Sequence, residues 1–247
     1  MIKTRILCCL LCVLMMISQV CVFAQDDSSV SSGSHSVNAS VSLSESKKLL
    51  ETSKAVALYE LNSDTLVYGW NIDEKVYPSS MVKLMTAIVA LENGTLTDTV
   101  TVTKSALSHV AIGAVSANLK NGEQLSLESL LYCMMCQSAN DAAVVIAEHI
   151  GGSQEGFLQL MNEKAKDIGC TGTNYTNVHG LHDEQTYTTT RDICKILEYG
   201  LKNPQFKMLF TAKTYTVPAT NKSEARNIQT SNYMMSKDYT SKYFDER

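Results

Sequence analysis

The stretch PSSMVKLMT, at residues 78–86, determines how the rest of the chain is interpreted. Pro78 stands just before an apolar run that stops at Gly94, and this pattern predicts a helix that begins near Ser80. In the pattern S-x-x-K, Ser80 and Lys83 lie on the same face of such a helix. A hydroxyl at a helix N-terminus, beside a lysine that a dry cleft can deprotonate, is suited to nucleophilic catalysis. Ser80 and Lys83 are therefore the candidate nucleophile and general base.

The pattern S-x-N supplies a second candidate pair, Ser138 and Asn140. This pair lies between two predicted apolar helices. A hydroxyl at Ser138 can pass a proton between Ser80 and a leaving nitrogen, and the amide of Asn140 can bind Lys83 and a substrate carbonyl. Together the two patterns bring four polar side chains to the starts of two apolar helices.

Both patterns also occur elsewhere, because short motifs arise by chance; about one S-x-x-K is expected in a chain of this length and average composition. A second S-x-x-K begins at Ser44, and further S-x-N matches begin at Ser36 and Ser116. The first two lie in a polar stretch without a following apolar helix. Ser116 lies in a region of mixed character and has no helix directly after it, so Ser138 is preferred.

The predicted elements around these motifs are mostly helical. Residues 55–59 and 65–70 are predicted as a β-hairpin, because Asn62-Ser63-Asp64 between them is typical of turns. Apolar periodicity predicts further helices that begin near residues 126, 140, 153 and 190. Residues 98–120 show no clear helical period. A lone hairpin does not form a stable sheet and few strands are predicted after Lys213, so the sequence is expected to be incomplete.

The N-terminus has the features of an export signal. Lys3 and Arg5 precede an almost uninterrupted apolar run, and cleavage is predicted after Ala24. Residues 25–46 are rich in serine and are predicted to be a flexible spacer. Residues 47–247 are then the partial catalytic domain, outside the cytoplasm. Four cysteines follow the leader and are expected as buried free thiols (Cys133, Cys136, Cys170 and Cys194).

Charge and motif content exclude several functions. The formal net charge of -4 and the lack of a basic run argue against nucleic acid as a partner. His179 and His182 have the spacing of a metal site but no third ligand, so His179 is expected to be a structural residue of the turn at Gly180. Asp192 is expected to serve the helix dipole and the first-turn amides of its helix. The sequence contains no P-loop and no G-x-S-x-G.

Taken in order, these segments resemble the serine D-alanyl-D-alanine carboxypeptidases, which are low-molecular-weight penicillin-binding proteins. The resemblance is carried by residues 78–86, by QSANDAA at residues 137–143, by NVHGL at residues 177–181 and by YTTTRD at residues 187–192. It extends from about Ala55 to the end of the chain. Its order and spacing are far more specific than the two short motifs alone.

The resemblance implies a transpeptidase-like α/β fold, with a helical subdomain around an antiparallel sheet whose C-terminal strands are missing from this chain. It implies that Ser80 is acylated, that Lys83 is its base, and that Ser138 and Asn140 complete the visible site. The substrate would be a peptidoglycan stem pentapeptide, which loses its terminal D-alanine through an acyl-enzyme, and β-lactams would acylate the same serine. No metal and no cofactor are implied.

The third motif of the family, K-T-G, does not occur in the sequence. Lys213-Thr214-Tyr215 begins correctly but lacks the glycine and comes too early. By the resemblance, the K-T-G strand and any C-terminal membrane anchor would follow Arg247. The chain is therefore expected to be truncated, which leaves the activity of residues 1–247 by themselves open.

Two other functions are kept as alternatives. A class A-like β-lactamase would use the same nucleophile, but it needs a positioned glutamate for fast deacylation, and no convincing E-x-x-L-N is present. An inactive fragment or a pseudoenzyme that binds cell wall is the other alternative. A K-T-G motif beyond Arg247 would argue against it.

Overall fold

The computed structural model describes residues 53–61, 63 and 65–232. The predicted signal peptide, the serine-rich spacer and two of the three turn residues of the hairpin lie outside these residues. In chain order the elements are β1 (Val56–Glu60), β2 (Thr65–Trp70), a 3-10 turn (Ser79–Met81), α1 (Val82–Asn93), β3 (Thr99–Thr101), α2 (Lys104–Ser108), β4 (Gln124–Ser126), α3 (Leu127–Gln137), α4 (Asn140–Gly151), α5 (Gln154–Asp167), α6 (Thr190–Leu201), α7 (Pro204–Phe210), β5 (Thr214–Val217) and β6 (Arg226–Gln229).

Helices α1 and α4 form the centre of the core. Residues 82–90 of α1 and residues 140–147 of α4 are buried on every side, as their nearly continuous apolar sequence requires. Helices α3 and α5 pack against α4, and α1 contacts all three. Large side chains such as Phe157 and Leu130 are fully buried, and each contributes about 1.5–3 kcal/mol through the hydrophobic effect.

The strands form three separate two-stranded antiparallel sheets, β1 with β2, β3 with β4, and β5 with β6. The first is the predicted hairpin, with a register shift between Leu58 and Tyr59. All six residues of β2 are exposed, and they include Val67 and Trp70. Within the described residues this hairpin pairs with no further strand, so the apolar side chains of β2 stay exposed, whereas β1 packs against α6.

The mixed region at residues 98–120 contains a strand and a helix that periodicity did not reveal. Strand β3 pairs with β4, so only three residues on each side form this ladder. Helix α2 has five residues, which is too short for a helical period to show in the sequence. Thr103 is its N-cap, and the Thr103 side chain accepts a hydrogen bond from the Ala106 amide. Helix α7 was also not predicted, although Asn203 caps it and Pro204 is its first residue.

Cys133, Cys136, Cys170 and Cys194 are buried, and no disulfide joins any of them within the described residues. Burial raises the pKa of the Cys133 thiol and of the Cys170 thiol to about 12. The thiols of Cys133 and Cys170 are therefore protonated at neutral pH and are poor nucleophiles. None of the helices in the described part of the chain combines the length and the apolar character needed to cross a bilayer.

Candidate active site

Ser80 and Ser138 meet where two irregular backbone segments approach each other. Ser80 lies in the 3-10 turn ahead of α1, so the α-helix begins at Val82, slightly later than predicted. Ser138 ends α3 in a left-handed conformation with φ 60°, and Ser79 also has a positive φ, of 49°. The Ser138 hydroxyl donates to Ser80 Oγ at 2.9 Å. Left-handed residues other than glycine cost about 1–3 kcal/mol and concentrate at functional sites.

Lys83 is a titratable residue in this cluster that is almost completely buried, at only 3% exposure. Its Nζ donates to Asn140 Oδ1 at 2.9 Å and to the His179 main-chain carbonyl at 2.5 Å. Desolvation by burial lowers the pKa of Lys83 to about 7, so much of it is neutral at neutral pH. Among the described residues no hydrogen bond joins Lys83 Nζ directly to Ser80 Oγ.

The turn at residues 177–180 forms a third side of the cluster. Asn177 Oδ1 accepts hydrogen bonds from the amides of Gly180, at 2.7 Å, and His179, at 3.3 Å, and so sets the turn. Gly180 has a φ of 87°, and a Cβ built there would lie 1.8 Å from the Ser79 carbonyl oxygen. The turn is therefore in direct backbone contact with the segment that carries Ser80.

His179 was predicted to be a structural residue of this turn, and its side chain has that character. Burial, with the nearby Lys83 charge, lowers the pKa of His179 to about 4, so the imidazole is neutral at pH 7. Its Nδ1 accepts a hydrogen bond from the Leu181 amide at 3.2 Å. The contact of its carbonyl with Lys83 was missed, because a main-chain atom leaves no signature in the residue type.

The rejected S-x-N match at Ser116 is not part of the cluster, but it borders it. Ser116 Oγ donates to Asp141 Oδ2 at 2.6 Å, whereas Ser80 Oγ accepts from Ser138. The preceding residue, Val115, accepts a hydrogen bond from the Asn140 amide at 2.8 Å. The structure thus brings Ser80, Lys83 and the second motif together and assigns Ser116 to a supporting loop.

Two other residues singled out in the sequence lie outside the cluster. The ring of His182 packs edge-on against Tyr77, with centroids 4.7 Å apart. Asp192 lies in the first turn of α6, but its carboxylate accepts from the amide of Gly172 and the hydroxyl of Thr173, both at 2.8 Å, and not from the first-turn amides. The Thr189 side chain caps that helix instead. In residues 53–232, where described, no three metal-ligating side chains cluster.

The cluster and its order along the chain agree with one family. Residues 42–242 match the D-alanyl-D-alanine carboxypeptidase family. This chain belongs to that family.

Individual relatives give the same result. The chain is 32% identical over 171 residues to D-alanyl-D-alanine carboxypeptidase DacA of Haemophilus influenzae, a match that covers 67% of this chain and 44% of the relative. It is 37% identical over 148 residues to DacC of Escherichia coli, covering 57% and 37% of the two chains. The chain thus spans about two fifths of the length of these curated relatives.

Solved structures of the family share the fold. A mutant of the Streptomyces K15 DD-transpeptidase superposes with a TM-score of 0.68 at 27% identity, covering 73% of this chain and 74% of that one. A D-alanyl-D-alanine carboxypeptidase from Mycobacterium tuberculosis gives 0.66 at 25% identity, covering 72% and 66%. The expected transpeptidase-like α/β fold is therefore confirmed for this member of the family.

Proposed function

We propose that the protein is a serine-type D-alanyl-D-alanine carboxypeptidase that removes the terminal D-alanine from peptidoglycan stem pentapeptides. The observation that carries the proposal is the hydrogen bond between Ser138 and Ser80, beside a lysine that is buried and largely able to lose its proton. Acyl transfer needs a hydroxyl nucleophile, a base and a proton relay. Ser80, Lys83 and Ser138 have the chemistry for these three roles.

In the proposed reaction, Ser80 Oγ attacks the carbonyl carbon of the penultimate D-alanine and forms an ester bond. The Ser80 proton passes to neutral Lys83, directly once substrate tightens the site or through Ser138. The peptide C–N bond then breaks, and D-alanine leaves with a proton delivered through Ser138. Water hydrolyses the ester by the same groups in reverse. Asn140 holds Lys83 through its Oδ1, and its amide NH₂ is free to bind a substrate carbonyl.

The setting of the enzyme follows from the leader and the substrate. We infer that residues 1–24 direct export, that residues 25–46 are a spacer, and that the catalytic domain from residue 47 acts on peptidoglycan outside the cytoplasm. This activity places the protein in cell-wall biogenesis and the maintenance of cell shape. β-Lactams are inhibitors that acylate Ser80, and a C-terminal anchor beyond the sequence given would hold the enzyme at the membrane.

The test uses the protein expressed from its complete reading frame. Wild type is expected to be labelled by a fluorescent penicillin and to release D-alanine from a pentapeptide, whereas Ser80→Ala loses both while it remains folded. The matched control is Ser44→Ala, the other S-x-x-K serine, which is expected to behave as wild type. Labelling of a folded Ser80→Ala protein would refute the assignment. Release of hydrolysed β-lactam within seconds, instead of a complex that lasts minutes, would favour a β-lactamase.

A further inference from the structure

Asp141 is a buried carboxylate next to the site, and the proposed mechanism does not use it. Its side chain is in the first turn of α4, directly after Asn140, and the residue is only 2% exposed. Oδ1 accepts hydrogen bonds from the amides of Ala117, at 2.8 Å, and Ala142, at 2.9 Å. Oδ2 accepts from the Ser116 hydroxyl at 2.6 Å and from the Leu119 amide at 3.0 Å.

Three of these four donors belong to one loop, at residues 116–119. A carboxylate that accepts several N–H and O–H donors forms stronger hydrogen bonds than a neutral acceptor does. The loop needs such support, because Asn118 in its middle has a left-handed backbone with φ 58° and the segment before it is exposed, with Ile112 fully so. Asp141 therefore determines the path of this loop.

The loop in turn contacts the site through the main chain. The Val115 carbonyl, one residue before the clamped segment, accepts the Asn140 amide hydrogen bond at 2.8 Å. Asn140 is the residue whose Oδ1 receives Lys83 Nζ at 2.9 Å. Hydrogen bonds thus connect Asp141 to the loop and Val115 to Asn140 and Lys83, and the main chain between Val115 and Ser116 joins the two sets.

We propose that Asp141 is a positioning residue, which sets Asn140 and thereby Lys83 for acylation by clamping the loop at residues 116–119. The inference rests on the proposed function, because it concerns the rate of the same acylation step. In Asp141→Asn, the amide nitrogen cannot accept from the Leu119 amide, and the Ser116 hydroxyl must reverse its role. The loop then shifts and takes the Val115 carbonyl with it.

The chain contains a matched control for a purely structural role. Asp192 is also buried in the first turn of a helix, at 1% exposure, and it also clamps a loop, through Gly172 and Thr173. None of these hydrogen bonds involves Ser80, Lys83 or Asn140. Asp192→Asn should therefore lower stability much as Asp141→Asn does, but it should leave acylation unchanged.

The experiment measures acylation by a fluorescent penicillin over a range of concentrations, with full-length protein, so that the chemical rate constant and the preceding dissociation constant are obtained separately. For folded Asp141→Asn, the rate constant should fall about 10- to 100-fold, since a displacement near 1 Å costs up to about 100-fold, while the dissociation constant changes little. Ser116→Ala should reduce the rate constant less, and the double variant should be no slower than Asp141→Asn, because both act through one loop.

Several outcomes would overturn the proposal. One is a rate constant for folded Asp141→Asn within twofold of wild type, and another is an equal loss in Asp192→Asn. Losses that multiply in the double variant would show that Ser116 and Asp141 act separately. If Asp141→Asn does not fold, Ser116→Ala decides, and an unchanged rate constant there refutes the clamp. Wild type that is not acylated at Ser80 would overturn the proposed function as well, which separates the two failures.

Discussion

Gly180→Ala should slow acylation of Ser80 by disturbing the backbone behind it. A Cβ at residue 180 would lie 1.8 Å from the Ser79 carbonyl oxygen and 2.4 Å from its carbon. Moving the oxygen from 1.8 Å to the 3.0 Å below which Cβ contacts are essentially never seen requires a shift of about 1.2 Å. Both partners are backbone, so no side chain can rotate away.

The expected size of the effect has two parts. A non-glycine residue at a φ of 87° costs about 1–3 kcal/mol of folding free energy wherever it occurs. The displacement of the Ser79–Ser80 segment acts on the reaction, and a misplacement of about 1 Å can lower the rate about 100-fold, or about 2.7 kcal/mol in activation free energy. Acylation is therefore expected to fall by about two orders of magnitude in protein that is still folded.

Gly169→Ala separates these two parts. Gly169 has nearly the same φ, 83°, but a Cβ there meets nothing within 4 Å. The Gly169→Ala variant should lose only the folding free energy that a positive φ costs an alanine, and it should be acylated at the wild-type rate. The assay is the rate of labelling by a fluorescent penicillin, with the folded fraction measured by thermal unfolding. Equal rates in Gly180→Ala and Gly169→Ala would show that the contact does not position Ser80.

The remaining predictions concern the polar groups themselves. Lys83→Ala should slow acylation about 100- to 10,000-fold, measured as the rate of penicillin labelling; a loss below tenfold would exclude Lys83 as the base. In wild type the labelling rate should rise with pH to a plateau, with its midpoint near 7, the pKa at which half of Lys83 is neutral, and His179 does not interfere because its pKa is about 4. The pKa of Lys83 is near 7 in the folded state and 10.5 in the unfolded state, so between pH 7 and 10.5 the unfolded state binds more protons. The free energy of unfolding of wild type should therefore increase with pH over this range relative to that of Lys83→Met. A difference between the two proteins that does not change with pH, measured by chemical denaturation, would contradict this. Ser138→Ala should lower the labelling rate less than Ser80→Ala does and more than Ser116→Ala does. A larger loss in Ser116→Ala than in Ser138→Ala would show that the wrong S-x-N was chosen.

Long apolar periods made the main helices predictable. Helix α6 begins at Thr190, where apolar periodicity predicted it to begin, because its apolar face repeats clearly. The hairpin was predicted from two short strands with typical turn residues between them, although β2 proves exposed on both faces. Strands β3 and β4 have three residues each, and such short strands are defined by their partner and not by their own sequence.

The candidate site shows a similar division. The motifs identified Ser80, Lys83, Ser138 and Asn140, because their chemistry is in the side chains. The carbonyl of His179 could not be predicted, since any residue offers one. Asp141 was read only as part of a motif, and its four donors come largely from a loop more than 20 residues away in the chain. Tertiary contacts of this kind leave no local pattern.

The contact between Lys83 and His179 also has a consequence for biosynthesis. The two residues are 96 positions apart, and Gly180 follows immediately. A ribosome that adds about 5–20 residues per second needs roughly 5–20 s to make that interval. Throughout this time the emerging chain contains Ser80 without the turn that supports it and without an acceptor at His179 for its lysine. On the proposed function, a nascent chain therefore presents no formed nucleophile, and a β-lactam would acylate Ser80 only after the downstream turn has been made and has docked.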